Sequence, residues 1–213
     1  MRQIFLLAHR VPVGGAFTLN DLAGGGGRMD EVARVVSTAF TLSNDVRRDT
    51  EVTIVFSSEP PPRARRIHLE GRRLKFLNPD ERSTAALLKN ALVRSAGVPR
   101  DVEASPGLVV GPVEPLAELW EFASVAGTLW LTESGSALAV EDIPDGGFRV
   151  VLSDPTDPTE AEADCLRNAG ASPRSLGPRS LRSSQCVDIV HHLADRAGNR
   201  PLGEAPVGLS DAA

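Results

Sequence analysis

Two short stretches of this chain bring together residue types that can do chemistry. Gly24, Gly25, Gly26 and Gly27 run into Arg28-Met29-Asp30, and one helix length later comes Ser43-Asn44-Asp45-Val46-Arg47-Arg48-Asp49. Consecutive glycines remove side chains where backbone must pass close to something or take a positive φ. Both stretches set arginine beside aspartate, a combination suited to an anion held next to a proton acceptor. The same residues also spell a flexible loop and a solvated helix end, and Asp30 fits a helix-capping carboxylate equally well.

Other chemistries lack a signature. The chain contains no GxGxxG, GxxxxGK[ST], GxSxG or HExxH, so a Rossmann, P-loop, serine-hydrolase or zincin site has no support. Cys165 and Cys186 show no zinc-binding spacing, and free thiols with no structural metal are expected. At 213 residues, 41% hydrophobic and 24% charged, the chain reads as one folded domain over 1–197. Residues 198–213 carry proline, glycine and small polar residues without periodicity, and are expected to be a disordered tail. Apolar runs are too short for a membrane span or a signal peptide, so a cytoplasmic location is expected.

A net charge of -5 runs against a nucleic-acid partner, but the distribution does not. Arg63, Arg65, Arg66, Arg72, Arg73 and Lys75 crowd together, while acids gather at 114–121 and 154–164. Either an RNA surface or a genome rich in arginine codons explains the cluster.

The elements that must position these groups follow from periodicity. Residues 2–7 read as a buried strand, and Val32, Val35, Val36, Ala39 and Phe40 form one face of a helix. Residues 52–56 read as a strand, and 67–69 with 74–76 as a hairpin around Gly71 carrying the arginines. Asn78 and Pro79 predict a cap and first position for a helix through Leu92. Further on come a helix at 115–123, a central strand at 127–131, a glycine and proline break at 144–147 and a strand at 149–152. A helix at 159–168, a short strand at 174–176 and a helix at 184–196 complete the pattern. This alternation argues for an α/β fold with a mostly parallel sheet flanked by helices.

The spelling adds more. The glycine-Arg-Met-Asp segment, Leu42 through Asp49, residues 1–9, Asn78-Pro79-Asp80-Glu81-Arg82, Ser105-Pro106-Gly107-Leu108, Ser175-Leu176-Gly177-Pro178 and the stretch from Cys186 to His191 resemble the archaeal tRNA pseudouridine N1-methyltransferase family of the SPOUT superfamily. The resemblance covers nearly the whole chain. It implies a SPOUT fold with a C-terminal trefoil knot over about 128–197, an arrangement periodicity could never show. It also implies S-adenosylmethionine as cofactor, RNA and in particular the tRNA T-loop as substrate, and a homodimer, for which Val187, Ile189, Val190 and Leu193 supply apolar surface. The readings left beside it are N1-methylation of pseudouridine in ribosomal RNA and a noncatalytic RNA-binding relative of the fold.

On this resemblance, methyl transfer to N1 is an in-line displacement that needs positioning and loss of the N1 proton, and no metal. Asp30 is then the candidate proton acceptor or orienter, and Arg28 and Arg48 hold the uracil carbonyl or a phosphate. Arg47 and the arginines at 63, 65, 66, 72 and 73 are assigned to RNA. The cofactor is assigned to three loops containing Leu131, Ser153, Leu176, Leu181 and Cys186, the cysteine as a binding group without a covalent role. Of His191 and His192, one must lie near the buried side. One departure stands out: Ser153-Asp154-Pro155-Thr156-Asp157 replaces a family loop with two glycines, which restricts φ and adds bulk where backbone would meet cofactor.

Overall fold

Residues 4–8 offer no polar side chain to water, so β1 (Arg2–Ala8) belongs inside a sheet covered on both faces. The computed structural model describes residues 1–144 and 147–198, and there residues 4–8 are fully buried. β1 pairs in parallel with β2 (Thr50–Phe56) on one side and β7 (Phe148–Ser153) on the other. Beyond β7 lie β6 (Thr128–Ala137) and β8 (Ser172–Ser175), also parallel. Beyond β2 lie β3 (Arg65–Glu70), β5 (Leu108–Pro112) and β4 (Val102–Ser105), all antiparallel. The eight strands run β4-β5-β3-β2-β1-β7-β6-β8.

The alternation along β1 divides the core into two layers. Ile4, Leu6 and Ala8 face α1 (Met29–Phe40), α2 (Glu81–Ser95) and α5 (Ser183–Gly198), and Phe5 and Leu7 face α3 (Pro115–Ala123) and α4 (Glu160–Ala169). The five apolar residues that define the face of α1 are all fully buried. No helix among the described residues is long and apolar enough to cross a membrane.

Several expectations need correction. The segment 74–76 is not a strand: β5 occupies the free edge of β3, and the chain after Glu70 turns so that Leu74 enters the core. α2 is capped by Asp80, whose carboxylate accepts the Ser83 N–H at 2.8 Å, and not by Asn78. The strand begun at 128 lies one place from the sheet edge, not at its centre. Val187 and Val190 are buried in their own core, leaving Ile189 and Leu193 half-buried as apolar surface on α5. The expected tail lies outside the described residues apart from Gly198, as do residues 145 and 146 of the expected break.

β6 pairs with β8 twice, through 129–131 and again through 136–137, and the register jumps between Leu131 and Ser136. Residues 132–135 therefore bulge out of the ladder. Gly135 closes the bulge against the backbone of Arg174, where a Cβ would sit 2.5 Å from the amide nitrogen.

Candidate active site

In a parallel sheet the loops leaving the C-terminal strand ends are the natural place for a ligand. Here the bulge within β6 and the segments that follow β7 and β8 enclose a cavity of about 490 Å³, within the range of small-molecule sites. Leu131, Ser153, Leu176, Leu181 and Cys186, assigned to the cofactor from sequence, all line it. Arg28 and Glu31 line it from the start of α1. The Ser180 hydroxyl donates to Glu133 at 2.7 Å and that of Ser183 to the Ser153 carbonyl at 2.5 Å, so the third loop is tied to the other two. Both cysteines are free. Burial, with the negative charges of Glu133 and Glu31, pushes the Cys186 thiol up to about 11, which keeps it protonated and unreactive.

The glycine run serves a close approach. Gly27, at φ 60°, presses on the Arg10 carbonyl, where a Cβ would lie 2.0 Å from the oxygen. Arg28 follows in the left-handed region at φ 72°, a position that costs a non-glycine residue about 1–3 kcal/mol and occurs at functional sites. Its guanidinium bonds both oxygens of Asp30, Nε to Oδ1 at 2.9 Å and Nη2 to Oδ2 at 3.1 Å. Asp30 therefore does not cap α1: the cap position is Arg28, which makes no side-chain cap bond. Asp30 is buried and does not line the cavity. Burial alone would raise its pKa, but hydrogen bonds from Arg28 and Arg34 outweigh that and hold it below the ordinary carboxylate value. Such a group is a weak proton acceptor and a strong anchor for Arg28.

Arg48 is not brought to this cavity within the chain. α1 spans 12 residues, roughly 18 Å of helix, and carries the chain away from the cavity before Arg48 is reached. There its Nη1 donates to the carbonyls of Gly71 and Leu74, and Nη2 to Asp45. Arg47 pairs with Asp195 on α5 at 2.9 Å. Arg2 also pairs with Asp195, so the second arginine-aspartate stretch clamps the far end of α5. His191 lies buried beside Arg2 and is pushed down to about 3 by burial and the arginine charges, while His192 is exposed.

The arginine cluster is not one patch. β3 separates Arg65 from Glu70 by roughly 17 Å at ~3.3 Å per residue, so Arg72 and Arg73 lie at the opposite sheet end from Arg63 and Arg66. Arg65 is buried and caps the carbonyls of Pro62, Arg63 and Ala64, which removes it from any RNA surface. Arg63 pairs with Glu59, Arg66 with Glu118 and Asp101, and Arg73 with Glu103. Arg72 is exposed and, among the described residues, has no ion pair. Sequence reasoning missed Arg179 and Arg182, which line the cavity, are exposed and, among the described residues, have no ion pair.

It also missed His9 and Glu162, which hold Asp154 of the second loop from behind. His9, at the end of β1, places Nδ1 3.2 Å from Asp154 and Nε2 2.9 Å from Glu162, while its backbone N–H donates to Asp154 at 2.9 Å. Burial would lower its pKa, but the two carboxylates outweigh this and push it up to about 9. The capping box Thr159-x-x-Glu162 was a visible signal for Glu162.

Comparison with known proteins places this geometry. Residues 1–199 match the model of a family described as "Putative SAM-dependent RNA methyltransferase". A curated relative from Methanosarcina mazei, named tRNA (pseudouridine(54)-N(1))-methyltransferase, is 38% identical over 212 residues, covering 98% of this chain and 97% of its own. A relative of the same name from Haloferax volcanii is 37% identical, covering 93% and 98%. Among solved structures, Archaeoglobus fulgidus Nep1 bound to S-adenosylhomocysteine superposes with TM-score 0.65 at 16% identity, covering 92% of this chain and 97% of that one, a likeness of fold. The chain belongs to this family of S-adenosylmethionine-dependent RNA methyltransferases.

Proposed function

We infer that this protein methylates N1 of pseudouridine 54 in tRNA, the activity named for its relatives. The observation that carries the reading is one cavity, between the β6 bulge and the ends of β7 and β8, lined by all five cofactor candidates and by Arg28. Its lining fits an adenosyl group and an amino acid: Leu131, Leu152, Leu176 and Leu181 offer an apolar slot, and Glu133 and Asp157 offer negative charge to a sulfonium and an ammonium. S-adenosylmethionine supplies the electrophilic methyl group.

The chain's own part is positional. Arg28, fixed by Asp30 and aimed into the cavity, holds a uracil carbonyl or a phosphate so that N1 faces the methyl group. The N1 proton passes to water, and charge building on the ring as it leaves is offset by the same guanidinium. Arg179 and Arg182 meet the RNA backbone at the cavity mouth, with Arg72 as a more distant contact. The trefoil knot over about 128–197, a homodimer and a cytoplasmic location belong to this reading through the family. The dimer draws on Ile189 and Leu193.

The test is to incubate the protein and cofactor with a tRNA carrying pseudouridine at position 54, and with a pseudouridine-containing ribosomal RNA hairpin. Digestion and mass analysis should find N1-methylpseudouridine in the tRNA alone. Modification of the hairpin alone, or of neither, would overturn the assignment.

A further inference from the structure

The loop at 154–158 borders the cavity through Asp154, Pro155, Asp157 and Pro158, yet contains no glycine and two prolines. Its shape is held by side chains. At its start the Asp154 N–H donates to the Leu7 carbonyl at 2.7 Å, and the Asp154 carboxylate accepts the N–H groups of Thr156 and His9, both at 2.9 Å. At its end, Glu162 Oε2 accepts the N–H and hydroxyl of Thr159 at 2.7 and 2.8 Å. His9 spans the two ends, with Nδ1 on Asp154 and Nε2 on that same Glu162 oxygen.

A neutral imidazole has one N–H and one lone pair. It could donate to one carboxylate only, and would turn a lone pair on the other. Only the imidazolium bonds both ends of the loop at once. We propose that His9, as an imidazolium braced between Asp154 and Glu162, is the positioning residue that holds the 154–158 loop in its cofactor-binding shape. His9 does not line the cavity, so any effect it has on affinity passes through the loop. Asp154 and Glu162 are the titratable groups that act on it, from the end of β7 and the first turn of α4, and both favour the charged form. The raised pKa, about 9, agrees with this geometry. The inference rests on the cofactor reading above.

The test is calorimetric titration with S-adenosylhomocysteine from pH 6 to 10, for the wild type, His9→Ala and Glu162→Gln. The ligand's own amino group titrates in this range, so variants are compared at equal pH. His9→Ala should weaken binding at pH 7 by about tenfold or more, the size of one lost charge-assisted hydrogen bond. The wild type's advantage over it should vanish as pH rises through about 9. Glu162→Gln removes one charge that stabilises the imidazolium, so its affinity should begin to fall at lower pH than the wild type's. This second variant carries the test if His9→Ala does not fold. Equal affinity of His9→Ala and wild type, or an unmoved profile in Glu162→Gln, would overturn the proposal. A wild type that binds no ligand at any pH would remove the cofactor reading itself and this inference with it.

Discussion

Glu31 Oε1 accepts both the backbone N–H of Ser184, at 2.9 Å, and its hydroxyl, at 2.8 Å, so a carboxylate at the start of α1 caps the start of α5. The other oxygen takes Arg34 Nε at 3.1 Å. The carboxylate is almost wholly buried, and it borders the cavity. A negative charge at a helix N-terminus is favourable, and here it also fixes the segment that carries Cys186.

Glu31→Ala would leave the Ser184 N–H and hydroxyl without their acceptor in a dry place, while Arg34 keeps Asp30 and Glu81. The expected loss is about 3 kcal/mol of unfolding free energy, read from urea denaturation, together with weaker cofactor binding. Glu31→Gln keeps an acceptor and should lose about 1 kcal/mol. A loss from the alanine variant within measurement error would mean that water replaces the carboxylate without penalty.

For Arg28 and Asp30 the geometry orders the effects. Arg28→Ala should lower the single-turnover methylation rate by roughly 10²-fold through lost positioning. Asp30→Asn keeps one acceptor for the guanidinium and should cost about tenfold, with cofactor affinity unchanged. Because Asp30 acts through Arg28, the double variant should be no slower than Arg28→Ala. If Asp30→Asn were the slower single variant, its carboxylate would be the proton acceptor after all.

Much of this was legible in the sequence, and what was not has physical reasons. The apolar run of β1 and the helical period of α1 each encode their own burial, so both were readable locally. The cap of α2 was misplaced because Asn78 and Asp80 both flank Pro79; only the Asp80 side chain reaches Ser83, while the Asn78 carbonyl accepts the Thr84 hydroxyl. β4 is short and half polar, and forms because β5 offers it an edge, which no local period encodes. The arginine run looked like a patch because neighbours in sequence were taken as neighbours in space, although a strand with paired carboxylates separates them. His9 was invisible because its partners lie 145 and 153 residues away.

Two histidines set opposite limits on stability. His9 is raised from 6.5 to about 9, so its contribution is full below pH 6.5 and lost as pH rises through about 9. His191 is lowered from 6.5 to about 3, so its contribution is full above pH 6.5 and lost as pH falls toward 3. Melting temperature should therefore peak near pH 6.5 and fall on both sides. His9→Ala should flatten only the alkaline limb and His191→Phe only the acid one, though carboxylates such as Asp195 steepen the acid limb below pH 4. A profile that stays flat from pH 6 to 9 would show that His9 is not charged in the folded protein.

Salt dependence of RNA binding separates the arginines that contact phosphate from those engaged within the chain. Each phosphate neutralised on a single-stranded segment contributes about 0.7 to the slope of log affinity against log salt. Arg179 and Arg182 line the cavity without a carboxylate partner among the described residues, so replacing both by glutamine should lower that slope by ~1.4. Arg63 and Arg73 already face Glu59 and Glu103, and replacing both should leave the slope unchanged. Fluorescence anisotropy on a labelled T-arm, measured from 50 to 300 mM salt, distinguishes the two pairs. If the Arg63 and Arg73 substitutions flatten the slope instead, the ion pairs on that side of the sheet open when RNA binds, and the RNA path extends well beyond the cavity mouth.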